Sequence, residues 1–198
     1  ERLRAERDSA NLWRRERGYE EMPDLRHAAF ADHLKPMVLL SLHTGMRRGE
    51  VFGLAWEDVD LGNAILTVRA EKAKTNKTRH IPLNDVARDV LSDWAAQTGG
   101  KGLVFTSPDG GRFDNVNSSW GTVLDEAGIT DFRWHDMRHH FASSLVRHGV
   151  DLYVVKELLG HSTIQMTERY AHLAPSACRQ AVAKLAAQPH NVATEDRE

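Results

Sequence analysis

Two β-type runs, close together, interrupt a sequence that is otherwise patterned for helices. Apolar and polar residues alternate from Ala64 to Arg69, and a second short run rich in β-forming residues spans Thr78 to Leu83. The segment between them, Glu71 to Lys77, is too polar to be anything but a hairpin loop. The sequence therefore predicts a mainly α fold with a small antiparallel β-sheet, an α+β class.

Glycine, proline and capping residues divide the rest of the chain into helices. Pro36 suits the first turn of a helix that begins near Leu34, and Gly45 suits the residue just past its end. The same signals predict helices from Arg47 to Trp56, from Asn115 to Ala127 and from His135 to His148. Two more are expected to begin at caps: one runs from Asn84 to Gly99 and the other from Asp151 to Gly160. A capping box formed by Ser162 and Gln165 is expected to open a last helix, which runs past Tyr170 to Pro175. In the helix after Asn84, one apolar face is expected to hold Val86, Val90, Leu91 and Trp94. A short strand is expected from Leu103 to Phe105, and an Ala-rich helix from Pro175 to Ala187.

Length and composition limit the class of protein. The chain has 198 residues, one cysteine and a net charge of −2, which fits one globular domain without an intramolecular disulfide. No apolar run approaches the ~20 residues of a membrane helix, so we expect no membrane contact and a cytoplasmic location. We expect a charged linker over 1–22, a compact domain over 23–188 and a polar tail over 189–198. Because the chain begins at Glu1, we expect it to be a piece of a longer protein.

The first candidate for chemistry is the stretch from Thr44 to Glu50. It places Arg47 and Arg48 at a helix start, where free N–H groups and the helix dipole favour an anion. Glu50 lies three residues after Arg47, on the same helical face, and can hold that side chain in place. An ordinary surface ion pair would use the same residues.

The predicted hairpin is the second candidate. Between Arg69 and His80 the only acid is Glu71, and the cations are Arg69, Lys72, Lys74, Lys77 and Arg79. A mobile basic loop can reach a phosphate or donate a proton, because a lysine changes its pKa readily when it is desolvated. A solvated turn is the plainer interpretation.

Histidines and a tyrosine make the remaining candidates. His135 and Arg138 are three residues apart and can converge on one oxyanion. His135 and His139 could instead bind a metal, but Asp136 stands where the zinc-hydrolase motif needs Glu, and no third ligand follows at a telling spacing.

His161 lies in a turn between two helices, and Tyr170 lies about two turns along the second of them. A lone tyrosine in such a place is more often half-buried packing. Taken together, however, these cations, histidines and the tyrosine suit a phosphate, and no acidic pair is present to hold Mg²⁺.

Four stretches, in this order along the chain, resemble the catalytic domain of the tyrosine recombinases, the phage-integrase family of site-specific recombinases. They are Thr44–Glu50, Lys74–Leu83, His135–His139 and Leu158–Ser162, followed by Tyr170. The resemblance covers about Leu34 to Pro175.

This resemblance implies a set of roles. The catalytic residues would be Arg47, Lys74, His135, Arg138, His161 and the nucleophile Tyr170, with Glu50 in support. His135 and the two guanidiniums would activate the phenol, and Lys74 would protonate the leaving 5′-oxygen. Candidates for DNA contact are Arg48, Arg69, Lys72, Lys77 and Arg79. The hairpin and the helix starts at Arg47 and Arg138 are expected to form one cationic face.

The resemblance further implies double-stranded DNA as the partner, cleavage through a 3′-phosphotyrosyl intermediate, and no metal, ATP or other cofactor. The full-length protein would act as a homotetramer on two DNA sites at a prokaryotic nucleoid, while the isolated fragment could be a monomer. Residues 1–22 would link it to an amino-terminal DNA-binding region. Two alternatives stay open: a type IB topoisomerase-like enzyme that relaxes DNA, and a DNA-binding module that never cleaves.

Overall fold

The computed structural model describes residues 2–72 and 77–174, together with Val182. This part of the chain is mainly helical. The helices are α1 (Arg2–Glu16), α2 (Leu34–Thr44), α3 (Arg48–Phe52), α4 (Asp85–Thr98), α5 (Asn117–Glu126), α6 (Asp136–Arg147), α7 (Leu152–Leu159) and α8 (Gln165–Glu168). The strands are β1 (Val59–Asp60), β2 (Ile65–Val68) and β3 (Arg79–Pro82). Single 3₁₀ turns cover Trp56–Asp58, Ala70–Lys72 and Ala171–Leu173.

The three strands form one antiparallel sheet in the order β1-β2-β3. The predicted hairpin is confirmed, and its register pairs Ile65 with Pro82 and Val68 with Arg79. Strand β1 was not predicted, since two residues are too few for an alternating pattern to show. Residues 73–76, which belong to the segment predicted as the hairpin loop, lie outside the described residues, and Lys74 is one of them.

Helix α2 is the centre of the core and packs against α4 and α6. Its Met37 and Leu40 are fully buried. A second, smaller apolar cluster joins α6, α7 and the segment after α8 through the buried residues Ala142, Val146, Val155, Leu159 and Tyr170. The ring of Tyr170 is therefore held by packing between two helices.

Two glycines end helices where other elements approach closely. Gly45 follows α2 with φ +62°, and a Cβ there would collide with the Phe141 ring. Gly160 follows α7 with φ +63°, and a Cβ there would lie 2.9 Å from Cδ of Arg79. The predicted stops are confirmed, and both positions exclude a side chain for steric as well as conformational reasons.

The predicted helix from Arg47 to Trp56 is too long. Helix α3 ends at Phe52 because Leu54 and Trp56 turn away to bond the segment that was predicted as a strand from Leu103 to Phe105. The amide of Val104 donates to the Leu54 carbonyl, and that of Trp56 donates to the Gly102 carbonyl. In place of the predicted strand there is a single bridge between Ala55 and Leu103.

Two other local predictions are wrong. Val86 is exposed, and Ala87 takes its expected place in the core beside Val90 and Leu91. The Ser162–Gln165 capping box does not form, because α8 begins at Gln165 with Ile164 before it and Ser162 instead donates to the Met166 sulfur. The other caps are confirmed: the side chain of Asn84 accepts from the Ala87 amide at the start of α4, and that of Asp151 accepts from the Tyr153 amide at the start of α7.

The segment that carries Tyr170 also differs from its prediction. Helix α8 stops at Glu168, so Tyr170 lies in the turn just before the 3₁₀ residues Ala171–Leu173 and not along a helix. The Ala-rich helix expected from Pro175 to Ala187 and the polar tail lie outside the described residues, apart from Val182.

The charged amino-terminal segment forms α1, which binds the chain that follows it. Arg4 donates to the carbonyls of Leu25 and Ala28, and Asn11 exchanges two hydrogen bonds with the backbone of Met22. Its linker role stays a prediction. No helix within the described ranges has the length and apolar character to cross a membrane.

Candidate active site

A cavity of about 520 Å³ opens where the starts of α3 and α6 meet the α7–α8 turn and the Tyr170 segment. Its lining residues are Arg47, His135, Arg138, His139, His161, Ser162, Met166, Arg169 and Tyr170. The structure thus brings together five of the six residues predicted to be catalytic, from four separate segments. The sixth, Lys74, is outside the described residues.

The end of α7 holds three arginines on three successive carbonyl oxygens. Nε of Arg79 donates to Leu158 at 3.1 Å, Nη2 of Arg138 donates to Leu159 at 2.6 Å, and Nη2 of Arg47 donates to Gly160 at 3.4 Å. The last carbonyls of a helix have no partner within it and carry the negative end of its dipole. The three arginines at this end therefore give the last carbonyls of α7 their hydrogen-bond donors, and these bonds hold the arginine side chains in place.

Glu50 ties two of these arginines together beneath the pocket. Its Oε1 accepts from Nη1 of Arg47 and Nη1 of Arg79, each at 3.0 Å. Its Oε2 accepts from the Arg47 amide at 2.8 Å and from Nη2 of Arg79 at 2.6 Å. The support that the spacing of Arg47 and Glu50 predicted is present, and the carboxylate is buried.

Glu50 stays ionised although it is buried, because both arginines bind its carboxylate. Burial raises the pKa of this carboxyl, but the hydrogen bonds and charge of Arg79, followed by those of Arg47, outweigh burial and hold the pKa below its usual value. Glu50 is therefore an anion at neutral pH, and its contribution to stability is lost as pH falls through this lowered pKa.

Arg79 was predicted as a DNA contact, and the structure shows that its side chain has its partners within the domain. Its side chain is only 8% exposed and is bound to Glu50 and to the end of α7. Arg69 also has partners within the domain, since it pairs with Asp58 and, at 3.6 Å, with Glu57. Of the other candidates, Arg48 and Lys77 are exposed. Two arginines of the predicted cationic face are therefore paired with acidic residues of the domain.

We expect Arg79→Met to lower the free energy of unfolding by about 3–5 kcal/mol, because the change breaks a buried ion pair and leaves Glu50 undercompensated. Denaturant unfolding followed by circular dichroism measures the change. Arg88→Met is the control, since Arg88 makes only exposed ion pairs on α4 and its loss should leave the transition unchanged. Equal midpoints for the two variants would contradict a structural role for Arg79.

Arg138 is the most buried of the residues that line the pocket. Its side chain is buried, and its Nη1 donates to the Gly45 carbonyl at 2.7 Å in addition to the bond to Leu159. Burial, with the charge of Arg47 next, lowers the pKa of its guanidinium to about 9, so it remains a cation at neutral pH. A guanidinium has five N–H donors, and the two bonds to carbonyls leave donors for an oxyanion in the pocket.

His161 follows the end of α7 and is a neutral group. Burial, then the charges of Arg138 and Arg47, lower its pKa to about 4. Its Nδ1 lies 2.8 Å from Oγ1 of the buried Thr167, which orients the ring. At neutral pH, His161 can give a hydrogen bond to a ligand but not a positive charge.

Tyr170 brings its hydroxyl to the pocket while its ring stays in the core. The residue is 6% exposed, and its Oη lies 2.5 Å from Nδ1 of His139. Burial raises the pKa of the phenol, an effect only partly offset by Arg169 and Arg138. The hydroxyl is therefore un-ionised and hydrogen-bonded.

His139 contacts the Tyr170 hydroxyl, and the sequence did not predict this contact. Its spacing from His135 was considered only as a metal motif, and His135 was expected to act on the phenol. The two rings stand nearly perpendicular with centroids 4.9 Å apart, and His139 is the one that contacts the tyrosine. Its position directly after Arg138, a residue predicted to be catalytic, was the sequence signal that could have indicated a place near the pocket. Within the described part of the chain, no group of three His, Cys, Asp or Glu residues is placed to hold a metal ion.

The mainly helical fold with its three-stranded antiparallel sheet is that of tyrosine recombinase catalytic domains. The catalytic domain of bacteriophage HP1 integrase is similar at 31% identity and a TM-score of 0.58, covering 79% of this chain and 84% of that one. The Tn1549 transposon integrase, at 22% identity, shares the fold with a TM-score of 0.64, covering 76% of this chain and 59% of that one.

This chain belongs to the phage integrase family, whose model matches residues 19–177. The integrase of Salmonella phage P22 is 37% identical over 155 residues, which are 72% of this chain and 40% of that protein. Tyrosine recombinase XerC of Mycobacterium tuberculosis is 34% identical over 155 residues, again 72% of this chain and 50% of that protein. The chain spans about half the length, or less, of these curated relatives.

Proposed function

We propose that this chain is the catalytic domain of a site-specific recombinase that cuts and rejoins double-stranded DNA through a covalent 3′-phosphotyrosyl bond. The observation that carries the proposal is the placement of the Tyr170 hydroxyl in one pocket with Arg47, Arg138 and His161. The relatives support it, because they are called integrases and tyrosine recombinases, and the Tn1549 integrase structure is a complex with DNA.

The proposed reaction is an exchange of one phosphate ester for another. Oη of Tyr170 attacks the phosphorus, the bond from phosphorus to the 5′-oxygen breaks, and the enzyme keeps the 3′-phosphate. A 5′-hydroxyl from a partner strand then attacks the phosphotyrosine and releases the enzyme. Because the ester bond is kept in the covalent intermediate, the exchange consumes no ATP.

Charge stabilisation is the role proposed for the cations of the pocket. Arg47 and Arg138 would bind the non-bridging oxygens of the phosphate, where negative charge grows in the transition state, and His161 would add a hydrogen bond. Their fixed positions on the end of α7 favour this role, since donors that are already ordered need no reorganisation during the reaction. Two guanidiniums supply the positive charge, so the proposal includes no metal.

Lys74 completes the proposed set as the acid that protonates the leaving 5′-oxygen. In sequence it precedes the strand that begins with Arg79, and Arg79 shares the carboxylate of Glu50 with Arg47, which lines the pocket. This shared carboxylate supports a place for Lys74 near the pocket.

DNA contacts outside the pocket are proposed for Arg48 and Lys77, which are exposed, and for Lys72. The complete reaction is proposed to take four protomers on two DNA sites, because two duplexes must each be cut in both strands.

The proposal is tested by trapping the covalent intermediate. The full-length protein is incubated, with and without EDTA, with nicked duplexes that tile the DNA flanking its gene, so that a short fragment leaves after cleavage and the adduct accumulates. We expect an EDTA-insensitive adduct, with mass spectrometry placing a 3′-phosphodeoxynucleotide on Tyr170. An adduct on another residue, or none on any duplex, contradicts the proposal. Strand exchange between two specific sites distinguishes a recombinase from an enzyme that only relaxes DNA.

A further inference from the structure

We infer that His139 is a catalytic residue that takes the proton from Tyr170 during strand cleavage and returns it during rejoining. The inference rests on the proposed function and assigns its proton transfer, which the sequence analysis had given to His135. The observation behind it is the 2.5 Å contact between Nδ1 of His139 and Oη of Tyr170. This atom pair is the one between which a proton would move when the phenol becomes a nucleophile.

Packing fixes both partners of this contact. The Tyr170 ring belongs to the buried cluster with Ala142 and Val146 of α6 and Val155 and Leu159 of α7. His139 lies on α6, one turn before Ala142, so the helix that holds the tyrosine ring also carries the imidazole. Helix α6 therefore takes part in positioning both the acceptor and the hydroxyl.

The surroundings of His139 keep its imidazole able to accept a proton. Charged and titratable groups from four segments surround it. In and just before α6 they are Arg133, His135, Asp136 and Arg138. The others are His161 from the α7–α8 turn, and Arg169 and Tyr170 from the turn after α8. Burial is the main reason that the pKa of this imidazole is lowered, and the positive charges of Arg169 and Arg138 lower it further. At neutral pH the ring is uncharged, and its Nδ1 can accept from the phenol if Nε2 carries the proton.

His135 is less suited to this step and fits another. It lines the pocket beside Arg138, but it is exposed at the start of α6, and the Tyr170 hydroxyl bonds His139 instead. The first histidine is then free to face the phosphate, as its spacing from Arg138 predicted. The two histidines of α6 would divide the work between substrate and nucleophile.

The O–H bond of Tyr170 breaks and its proton forms an N–H bond at Nδ1 of His139, which becomes an imidazolium. The Oη–phosphorus bond forms and the bond to the 5′-oxygen breaks, with that oxygen taking a proton from the separate acid. In rejoining, the imidazolium gives its proton back to the departing phenolate, so His139 ends each cycle neutral.

Two substitutions separate proton transfer from mere positioning. His139→Ala removes the acceptor, whereas His139→Asn keeps a side-chain oxygen that accepts a hydrogen bond but is not basic. In single-turnover adduct formation on a saturating nicked duplex, we expect both variants to be slower by about 10²-fold, the scale of general base catalysis. His140→Ala is the control, because this exposed neighbour lines a different cavity beside His43 and should react at the unmodified rate.

A second measurement reports directly on the proton. Replacing Tyr170 with 3-fluorotyrosine lowers the pKa of the phenol, so less help is needed to remove its proton. We expect this replacement to restore about tenfold of the lost rate in His139→Ala and to change the unmodified protein little, since general base catalysis follows the pKa of the group it deprotonates.

The outcomes are distinct. A full rate for His139→Asn, or no gain from 3-fluorotyrosine in His139→Ala, overturns proton transfer by His139 and leaves a positioning role. A full rate for His139→Ala overturns both roles. If the unmodified protein forms no adduct at all, it is the proposed function that fails. Equal melting temperatures and equal DNA affinities among the variants show that a slow rate is not a folding or binding defect.

Discussion

Tyr170→Phe is expected to abolish the covalent protein–DNA adduct while leaving the protein folded and able to bind DNA. The change removes one oxygen, the atom that would form the bond to phosphorus, and leaves the ring in the cluster between α6 and α7. The packing of a phenylalanine there is almost unchanged, so the melting temperature should move little. Denaturing gel electrophoresis after incubation with the nicked duplex measures the adduct.

The matched control for this prediction is Tyr153→Phe. Tyr153 lies on α7 with its side chain 65% exposed, and it does not line the pocket. This variant should form the adduct in normal yield. If Tyr170→Phe also forms it in normal yield, the nucleophile is another residue, and the pocket described above does not act as proposed.

Arg138→Ala is expected to slow adduct formation by about 10² to 10³-fold, the scale of losing one preorganised donor to an oxyanion. The guanidinium is buried, cationic and held by the carbonyls of Gly45 and Leu159, so its remaining donors are fixed toward the pocket. The same substitution leaves both carbonyls without this partner, which we expect to cost about 1–3 kcal/mol of stability. The two effects are measured separately, by single-turnover adduct formation and by denaturant unfolding.

Arg138→Lys tests whether charge alone is sufficient. A lysine keeps the positive charge, but its single ammonium cannot span the two carbonyls and the pocket as a guanidinium does. We therefore expect most of the loss to persist. Arg147→Ala, an exposed arginine at the other end of α6, should leave both the rate and the stability unchanged. If Arg138→Ala reacts within threefold of the rate of the unmodified protein, Arg138 does not bind the phosphate oxygens as proposed.

The end of α7 connects the stability of the domain to its chemistry. Arg47 and Arg138 line the pocket, whereas Arg79 lies beneath it, yet all three bind neighbouring carbonyls of one helix. Gly160 leaves room for this arrangement, because a Cβ there would press on Arg79. Changes at the end of α7 should therefore alter catalysis through the arginines, without any contact to DNA.

Much of the local structure was predictable because its causes are local. The caps at Asn84 and Asp151 and the stops at Gly45 and Gly160 depend on residues a few positions apart, and the β2–β3 hairpin joins two strands that follow one another along the chain. The pair of Arg47 and Glu50 was predictable for the same reason, since three residues along a helix bring two side chains together. The family was also evident from the order of its motifs.

The predicted helix bounds were wrong where contacts with distant segments decide where a helix ends. The end of α3 depends on Leu54 and Trp56 finding partners almost fifty residues away, at Val104 and Gly102, and the sequence around α3 carries no sign of it. The length of α8 was overestimated because the pattern gave no reason to stop at Glu168, although the small core needs Tyr170 in the turn that follows.

The amino-acid order of this chain is sufficient for its fold class and its hairpin, because periodicity and caps act over short distances. The order of its motifs, through their resemblance to a family, also identifies five of the residues that line the pocket. The roles of Arg79 and His139 come from the folded domain alone. A basic residue on a hairpin becomes a buried partner of Glu50, and a histidine after Arg138 meets the tyrosine hydroxyl, only when segments 29 and 31 residues apart are brought within hydrogen-bond distance. Burial and partner geometry, which decide what a charged or titratable side chain can do, are properties of that packing.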